Sequence, residues 1–174
     1  TPVIGSQAEL EEYYMSDKDS SKNPVALHID TGFSRLGFEE DEINRLPING
    51  LNIELIMSHL ANAEDLSSKL PEKQLTKLSR VSERFSGVKK TIANSAAIFR
   101  DESFLLDMVR PGVSLYCGYN KQKTPIQLAP AIELFAPIIQ VKDIKVGSTI
   151  GYGASYKARS NMKIALVEFG YADG

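Results

Sequence analysis

The alternation of short apolar runs with helical segments over the first two-thirds of the chain is the feature that most constrains the fold. Apolar runs of strand length are typical of parallel strands that are covered on both faces. Repeated strand and helix units predict a parallel α/β architecture, either a barrel or a doubly wound sheet. The predicted strands of this part lie at residues 1–4, 25–29, 51–57, 88–92 and within 104–109.

Two helices are predicted between these strands, at residues 7–14 and 71–85. The first has Ser6 as its expected N-cap and Glu9 three residues later, which is the pattern of a capping box. The second repeats apolar residues at helical spacing, which predicts one buried face. That face carries Leu75, Leu78, Val81 and Phe85. The remaining predictions are a loop at residues 16–24 and a helical turn that begins at residues 95–100.

The last third of the chain has a different character, because strands are predicted there without helices between them. These strands lie at residues 132–141, 147–151 and 162–169. The change predicts two domains. Residues 1–125 belong to the first, and residues 126–174 are the beginning of a second, all-β domain. The chain starts on a strand and stops directly after one, which would leave an unpaired sheet edge. We therefore expect it to be the central part of a longer protein.

Charge and composition exclude several classes of function. The 174 residues carry a formal net charge of -2, so nothing indicates binding to nucleic acid or to a membrane surface. No apolar run approaches the roughly 20 residues that cross a bilayer. The single cysteine, Cys117, excludes an internal disulfide framework. These features favour a soluble cytoplasmic protein, and no metal ligands are assigned.

Polar residues follow four successive apolar runs, at residues 30–35, 58–59, 94–95 and 110–112. In a (β/α)8 barrel the carboxyl ends of all strands open on one face, where active sites lie. Ser95 and the backbone N–H groups at Gly112 and Val113 are suited to a phosphate. Arg35 is suited to a carboxylate or a phenolate oxygen. The pattern indicates an anionic aromatic cofactor at the mouth of a barrel.

Each of these residues has an ordinary structural interpretation as well. His59 can be a structural histidine, Arg35 a surface cation and Arg110 an ion-pair partner. Asn94 and Ser95 can simply be the N-cap of a helix, without any role in binding. Gly151 and Gly153 can mark a bulge, and Tyr152 and Tyr171 can be core aromatics. Taken singly, none of these residues is specific to a function.

Six segments, in order along nearly the whole chain, resemble the conserved segments of alanine racemases. Residues 28–37 read H-I-D-T-G-F-S-R-L-G, similar to K-x-D-T-G-M-x-R-L-G of that family. The segment at residues 58–61 resembles the family's histidine segment. The other four are A-N-S-A-A at residues 93–97, V-R-P-G-V-S-L-Y at 109–116, G-Y-G-A-S-Y at 151–156 and G-Y-A-D-G at 170–174.

The resemblance implies a fold and an activity. The fold is a (β/α)8 TIM-type barrel, of which this chain holds about strands 4–8, followed by the start of an all-β C-terminal domain. The activity is an isomerase reaction, the interconversion of L-alanine and D-alanine through a pyridoxal 5'-phosphate aldimine by two-base proton transfer. It implies a homodimer whose active site is shared across the interface, and a supply of D-alanine for peptidoglycan.

Individual roles follow from the same resemblance. Tyr152 matches the tyrosine that moves the α-proton on one face of the substrate, and Tyr171 matches one that helps to bind the substrate carboxylate. Both act on the cofactor site of the other subunit. His59 matches a residue that packs near the pyridine ring and contacts Arg110. Arg110 itself matches the arginine that donates to the pyridine nitrogen.

The phosphate contacts are also implied by the resemblance. Ser95 and the backbone at Gly112 and Val113 match phosphate ligands, and Asn94 lies in the same cofactor-binding segment. Arg35 matches the arginine near the cofactor's phenolic oxygen and the substrate carboxylate.

General chemistry agrees with these roles. A guanidinium does not give up its proton in a protein, so Arg110 would leave the pyridine nitrogen unprotonated. This weakens the ring as an electron sink and favours reprotonation at Cα over transamination. The Tyr152 phenol has an ordinary pKa near 10, so it needs neighbouring cations to act as a base.

The sequence departs from the family at two points. The V-K-A-x-A-Y-G segment with the Schiff-base lysine is absent, and lysines such as Lys69 and Lys73 do not match it. This chain alone is therefore expected to be inactive.

His28 occupies a position where many members have a carbamylated lysine, which orients the neighbouring arginine. We expect chloride or a carboxylate to orient Arg35 instead, and an anomalous-scattering map without a peak there would contradict chloride. Backbone contacts are the simpler alternative.

Three alternatives stay open. One is a related racemase that acts on serine or on a broader range of amino acids. Another is a barrel decarboxylase for basic amino acids with the same cofactor, which the R-P-G and G-Y-G-A-S-Y segments argue against. The third is a non-catalytic interaction module. The missing lysine agrees with such a module, while the retained Tyr152, Tyr171, His59 and Arg110 argue against it.

Overall fold

The computed structural model describes residues 1–16, 22–47, 50–116, 128–129 and 131–173. These residues form two compact units, Thr1–Ala131 and Ile132–Gly174. The predicted boundary between residues 125 and 126 lies outside the described residues, so the domain limits 1–125 and 126–174 stay predictions.

A four-stranded parallel sheet forms the centre of the first unit. Its strands β1 (Val3–Ile4), β2 (Pro24–His28), β3 (Asn52–Met57) and β4 (Lys89–Thr91) pair in that order. Every pair of neighbours is parallel. The parallel α/β architecture predicted from the apolar runs is therefore confirmed.

Within the described part of this unit, four α-helices accompany the sheet: α1 (Gln7–Ser16), α2 (Glu40–Arg45), α3 (Leu70–Ser82) and α4 (Ser95–Ile98). The predicted apolar face of α3 packs into the core, with Leu78 and Val81 buried. Helix α2 was not predicted from the sequence, because its single buried residue, Ile43, gives no periodic apolar signal. The core of the unit is built from the strands and these helix faces.

The start of α1 shows how a local pattern is realised. The Ser6 hydroxyl accepts a hydrogen bond from the Glu9 backbone N–H at 3.3 Å, which confirms Ser6 as the N-cap. The Glu9 carboxylate accepts from the Gly5 N–H at 2.7 Å rather than from that of Ser6. The reciprocal contact of the capping box therefore reaches one residue further back than predicted.

The strand predicted within residues 104–109 is wrong. Glu102–Phe104 is a 3-10 helix, and Leu106 has a left-handed φ of 47°, which interrupts an extended chain. Extended pairing is limited to one isolated parallel bridge between Thr91 and Met108. The apolar residues of this stretch therefore do not form a continuous fifth strand.

The described part of the second unit is built from antiparallel strands and 3-10 turns. Strand β5 (Ile138–Ile144) pairs with β8 (Met162–Val167), and β6 (Thr149–Ile150) pairs with β7 (Tyr156–Lys157). The strand predicted at residues 132–141 begins only at Ile138. Pro137, which precedes it, has no N–H for a ladder and only accepts a bond from the Glu168 N–H at 3.2 Å.

Candidate active site

The loop after β2 is organised around Asp30. One carboxylate oxygen of Asp30 accepts hydrogen bonds from the backbone N–H groups of Gly32 at 2.8 Å, Phe33 at 2.8 Å and Ser34 at 3.2 Å. Burial by itself raises the pKa of Asp30, but these three bonds outweigh it and lower the pKa below its usual value. The loop backbone is therefore held by an ionised carboxylate.

The neck of this loop is closed by backbone hydrogen bonds. The Phe38 N–H donates to the His28 carbonyl at 2.8 Å, and the Asp30 N–H donates to the Phe38 carbonyl at 2.9 Å. Gly37 lies at the neck with φ at 112°, and a Cβ there would stand 2.6 Å from the Asp30 nitrogen. Only glycine fits this position. The closed loop carries Arg35 at the carboxyl end of β2.

Arg110 is anchored where β3 and β4 end. Its guanidinium donates to the Thr91 hydroxyl at 2.6 Å and to the Ser58 carbonyl oxygen, and its backbone N–H donates to the Ala93 carbonyl at 2.9 Å. The Thr91 hydroxyl in turn donates to the Met108 carbonyl at 2.7 Å. Burial lowers the pKa of Arg110, but an arginine still keeps its proton. A fixed cation thus faces this end of the sheet.

Both histidines of the chain lie in the field of two arginines. Burial lowers the pKa of His59, and the charges of Arg110 and Arg35 lower it further. Burial also lowers the pKa of His28, as do Arg110, His59 and Arg35, while Asp30 acts in the opposite direction. Both imidazoles are therefore mainly neutral at pH 7, and the site is electropositive.

Ser95, Gly112 and Ser114 form a compact cluster of hydrogen-bonding groups. The Ser95 side chain is buried, and its hydroxyl accepts from the N–H groups of Gly112 at 2.9 Å and Ser114 at 3.2 Å. The hydroxyls of Ser95 and Ser114 lie 3.1 Å apart. Val113 begins a 3-10 turn here, and a Cβ on Gly112 would meet open space. The Ser95 hydroxyl takes up both N–H groups here, so a phosphate that entered the open space at Gly112 would replace it as their acceptor.

Asn94 has the structural role that was its simpler interpretation. Its side-chain oxygen accepts a hydrogen bond from the Ala97 N–H at 3.1 Å, so it is the N-cap of α4. This contact uses the acceptor of Asn94 and leaves its amide N–H donors for other partners.

Tyr152 and Tyr171 both lie in the second unit. Each begins a 3-10 turn, and their side chains are 98% and 96% exposed. Neither is a core aromatic of this unit, so that alternative is wrong. Gly151 and Gly153 have φ values of 77° and 67° and serve the tight turn between β6 and β7. The exposed phenols are available for contacts outside the unit.

The structure brings the candidate residues of the first unit to one end of the parallel sheet, where β2, β3 and β4 finish. These residues are Arg35, His59, Asn94, Ser95, Arg110, Gly112 and Val113. No carboxylate of the described residues forms an ion pair with Arg35. The chloride expected beside Arg35 stays a prediction.

Sequence reasoning missed a buried polar network beneath this end of the sheet. Gln74 of α3 is 0% exposed; it accepts from the Ala61 N–H at 3.0 Å and donates to the His59 carbonyl at 3.0 Å. It also donates to the Thr31 hydroxyl at 3.3 Å, which lies 2.7 Å from the Ser58 hydroxyl. The network ties the segments after β2 and β3 to one helix.

A sequence signal for this network exists. Gln74 follows Pro71 by three residues and precedes Leu78 by four, so it lies on the buried face of α3. A polar residue on an otherwise apolar helix face needs hydrogen-bond partners. This pattern indicates that Gln74 is paired, although it does not identify the partners.

Comparison with known proteins covers nearly the whole chain. A family model described as the alanine racemase N-terminal domain matches residues 1–120, and one described as the C-terminal domain matches residues 131–174. The chain is 35% identical to an alanine racemase of Methylobacterium sp. (strain 4-46), over 99% of this chain and 49% of the relative. It is 34% identical to one of Acidiphilium cryptum (strain JF-5), over 99% and 50%.

A solved structure agrees with these relatives. The alanine racemase from Bartonella henselae, solved with covalently bound pyridoxal phosphate, matches with a TM-score of 0.75 and 32% identity, over 99% of this chain and 50% of that one. The chain spans about half the length of the curated relatives it matches. It belongs to the alanine racemase family.

Proposed function

We propose that this chain is part of a pyridoxal-phosphate-dependent alanine racemase that interconverts L-alanine and D-alanine. The observation that carries the proposal is the grouping of Arg110, His59 and the Ser95 cluster at the carboxyl ends of adjacent parallel strands. In barrel enzymes the active site lies on that face. Family membership and the cofactor bound to the Bartonella henselae relative support the assignment.

The sheet is proposed as an arc of a (β/α)8 barrel, within about strands 4–8 of the complete fold. The strand order β1-β2-β3-β4 follows the chain without a reversal, as in a barrel. A doubly wound sheet reverses its order at a switch point. Residues 126–174 are proposed as the beginning of an all-β domain.

The cofactor-binding residues are proposed as Arg35, His59, Asn94, Ser95, Arg110, Gly112 and Val113. A phosphate would replace the Ser95 hydroxyl as acceptor for the Gly112 and Ser114 N–H groups, and a Cβ at Gly112 would meet open space. Arg110 fits a ring nitrogen that lacks a proton, because a guanidinium donates and does not accept. Its anchoring by Thr91 and Ser58 fixes the direction of that donor.

Pyridoxal phosphate, when bound, supplies an electron sink for the carbanion at the substrate's Cα. Arg110 retains its proton and so limits this delocalisation, which favours return of a proton to Cα. Arg35 binds the substrate carboxylate, helped by Tyr171. Tyr152 Oη moves the proton on one face, and a lysine outside this chain serves the other.

Tyr152 and Tyr171 are proposed to act on the site of a second subunit in a homodimer. Their exposure, 98% and 96%, supports this role, because neither phenol is engaged in the core of its own unit. Tyrosine is enriched at protein interfaces, where its ring is buried and its hydroxyl is hydrogen-bonded.

The deciding experiment follows exchange of the Cα proton of L-alanine in D2O together with D-alanine formation, using the full-length protein and pyridoxal phosphate. Exchange and D-alanine together support the proposal. Exchange without D-alanine would contradict the two-base assignment of Tyr152. Turnover of L-serine but not of L-alanine would favour the related racemase. No turnover of any amino acid would favour the interaction module.

A further inference from the structure

Three side chains above the end of the sheet are stacked in a row. The guanidinium carbon of Arg35 lies 4.3 Å from the centroid of the Phe33 ring. The Phe33 ring meets the His59 ring edge to face, with centroids 5.4 Å apart and an angle of 70° between their planes. The phenyl ring is therefore the physical link between the arginine and the histidine.

The phenyl ring is the better anchored partner of Arg35. The Phe33 N–H is held by the Asp30 carboxylate at 2.8 Å, and the ring is half-buried. Arg35 is exposed, and among the described residues it forms no ion pair. Its contact with the ring face is thus the one specific side-chain interaction that the described structure gives to its guanidinium.

The geometry has a clear electrostatic basis. The face of a phenyl ring carries negative partial charge and its edge positive partial charge. A guanidinium within about 6 Å of the centroid is attracted to the face. An aliphatic residue of similar volume would fill the space but would offer no such attraction. The aromatic character of Phe33, rather than its size, is what holds Arg35.

We propose that Phe33 is a positioning residue. Its ring holds the Arg35 guanidinium at the substrate carboxylate and fixes the position of Arg35 relative to His59. Its role in turnover rests on the proposed function, whereas its hold on Arg35 does not. Phe33 itself touches no reacting atom; it acts through the cation that it supports.

A series of fluorinated phenylalanines at position 33 of the full-length protein tests this role. Each added fluorine weakens the negative ring face with little change in shape. We expect the KM for alanine to rise stepwise, by about two- to fivefold at full fluorination, as for exposed cation–π pairs. We expect kcat to change much less. The same fluorinated phenylalanines at position 85 are the control, because Phe85 belongs to the hydrophobic core. They should leave the KM for alanine unchanged.

A second readout does not depend on turnover. Side-chain NMR of Arg35 should show greater Nε–Hε mobility as fluorine is added at residue 33. Phe33→Leu should release Arg35 and also raise the pKa of His59, because the charge of Arg35 is one of the causes that lower it. Phe33→Tyr keeps the aromatic ring face. Unlike Phe33→Leu, it should therefore keep the KM for alanine and the Arg35 mobility of the original protein.

The outcomes separate the two proposals. If fluorination and Phe33→Leu leave both KM and Arg35 mobility unchanged, Phe33 only fills space and the inference is wrong. An equal KM increase with the Phe85 controls would also overturn it. If mobility rises while no alanine turnover is found, the positioning role holds and the proposed function fails.

Discussion

At the scale of single residues, two arginines dominate the electrostatics of the candidate site. Arg35 and Arg110 both lower the pKa of the two histidines. Asp30, which three backbone N–H groups of its own loop keep ionised, opposes the arginines at His28 but is not among the groups that act on His59. The remaining field favours an anion, such as a phosphate or a carboxylate.

The histidines make the stability of the fold depend on pH. Because their folded pKa values lie below the ordinary value of about 6.5, the unfolded chain binds more protons once the pH falls through that value. The free energy of unfolding should therefore fall between about pH 7.5 and pH 5.5. Urea unfolding of the full-length protein at the two pH values measures this decrease.

The variant with both His28→Gln and His59→Gln is the matched comparison, since these are the two histidines of the chain. It should lose less free energy of unfolding over the same pH range. An equal loss in the variant and the original protein would show that other groups dominate.

At the scale of elements, helix α3 and the loop before it determine where His59 lies. Gln74 holds the start of the loop through Ala61 and His59. Arg100 holds the rest: its guanidinium donates to the carbonyls of Ala63 at 3.1 Å and Asp65 at 2.7 Å and to the Glu72 carboxylate. The loop after β3 is thus hydrogen-bonded at both ends, which limits movement of the histidine.

Replacing Gln74 by leucine should destabilise the protein through this loop. The substitution removes three hydrogen bonds and leaves the Ala61 N–H and the His59 carbonyl without their partner. Buried unsatisfied groups cost about 1–3 kcal/mol each, so we expect a loss on the order of 2–3 kcal/mol. Chemical denaturation measures it, and hydrogen exchange should increase at residues 59–61.

The control is Lys73→Leu, which introduces the same side chain at the exposed neighbouring position of α3. It should change the free energy of unfolding by less than about 0.5 kcal/mol. If both variants lose similar stability, the added leucine rather than the lost network is responsible.

At the scale of the whole molecule, the two units differ in how completely they are buried. The first has a continuous core around its sheet. In the described part of the second, Ala158 is the one buried hydrophobic residue, while Phe135, Ile139 and Phe169 are exposed. Exposed apolar side chains of this kind are suited to contacts with further protein surface.

Tyr152→Phe separates catalysis from stability. The side chain is 98% exposed in its unit, so loss of its hydroxyl should change the free energy of unfolding by less than about 0.5 kcal/mol. As one of two proposed acid/base groups, it should lower kcat by about 10²- to 10⁴-fold. Racemisation of L-alanine and D-alanine, with a denaturation curve of each protein, measures both effects.

Full activity in Tyr152→Phe would remove the tyrosine from the proposed mechanism. A large loss of stability would instead show that the phenol is buried in the complete assembly. Tyr156→Phe, at a tyrosine four residues away, is the control and should retain activity.

The sequence by itself determined the parallel α/β architecture of the first unit and the chemical types of the candidate site residues. These depend on local patterns: apolar runs, helical spacing and polar residues where a strand stops. Only the tertiary structure decided which side chains meet. Gln74 reaches Thr31 across 43 positions, and Thr31 reaches Ser58 across 27. It also stacked Phe33 between Arg35 and His59, and it broke the predicted strand at Leu106. The physical reason is that contacts between distant segments depend on how the elements pack, which no local pattern specifies.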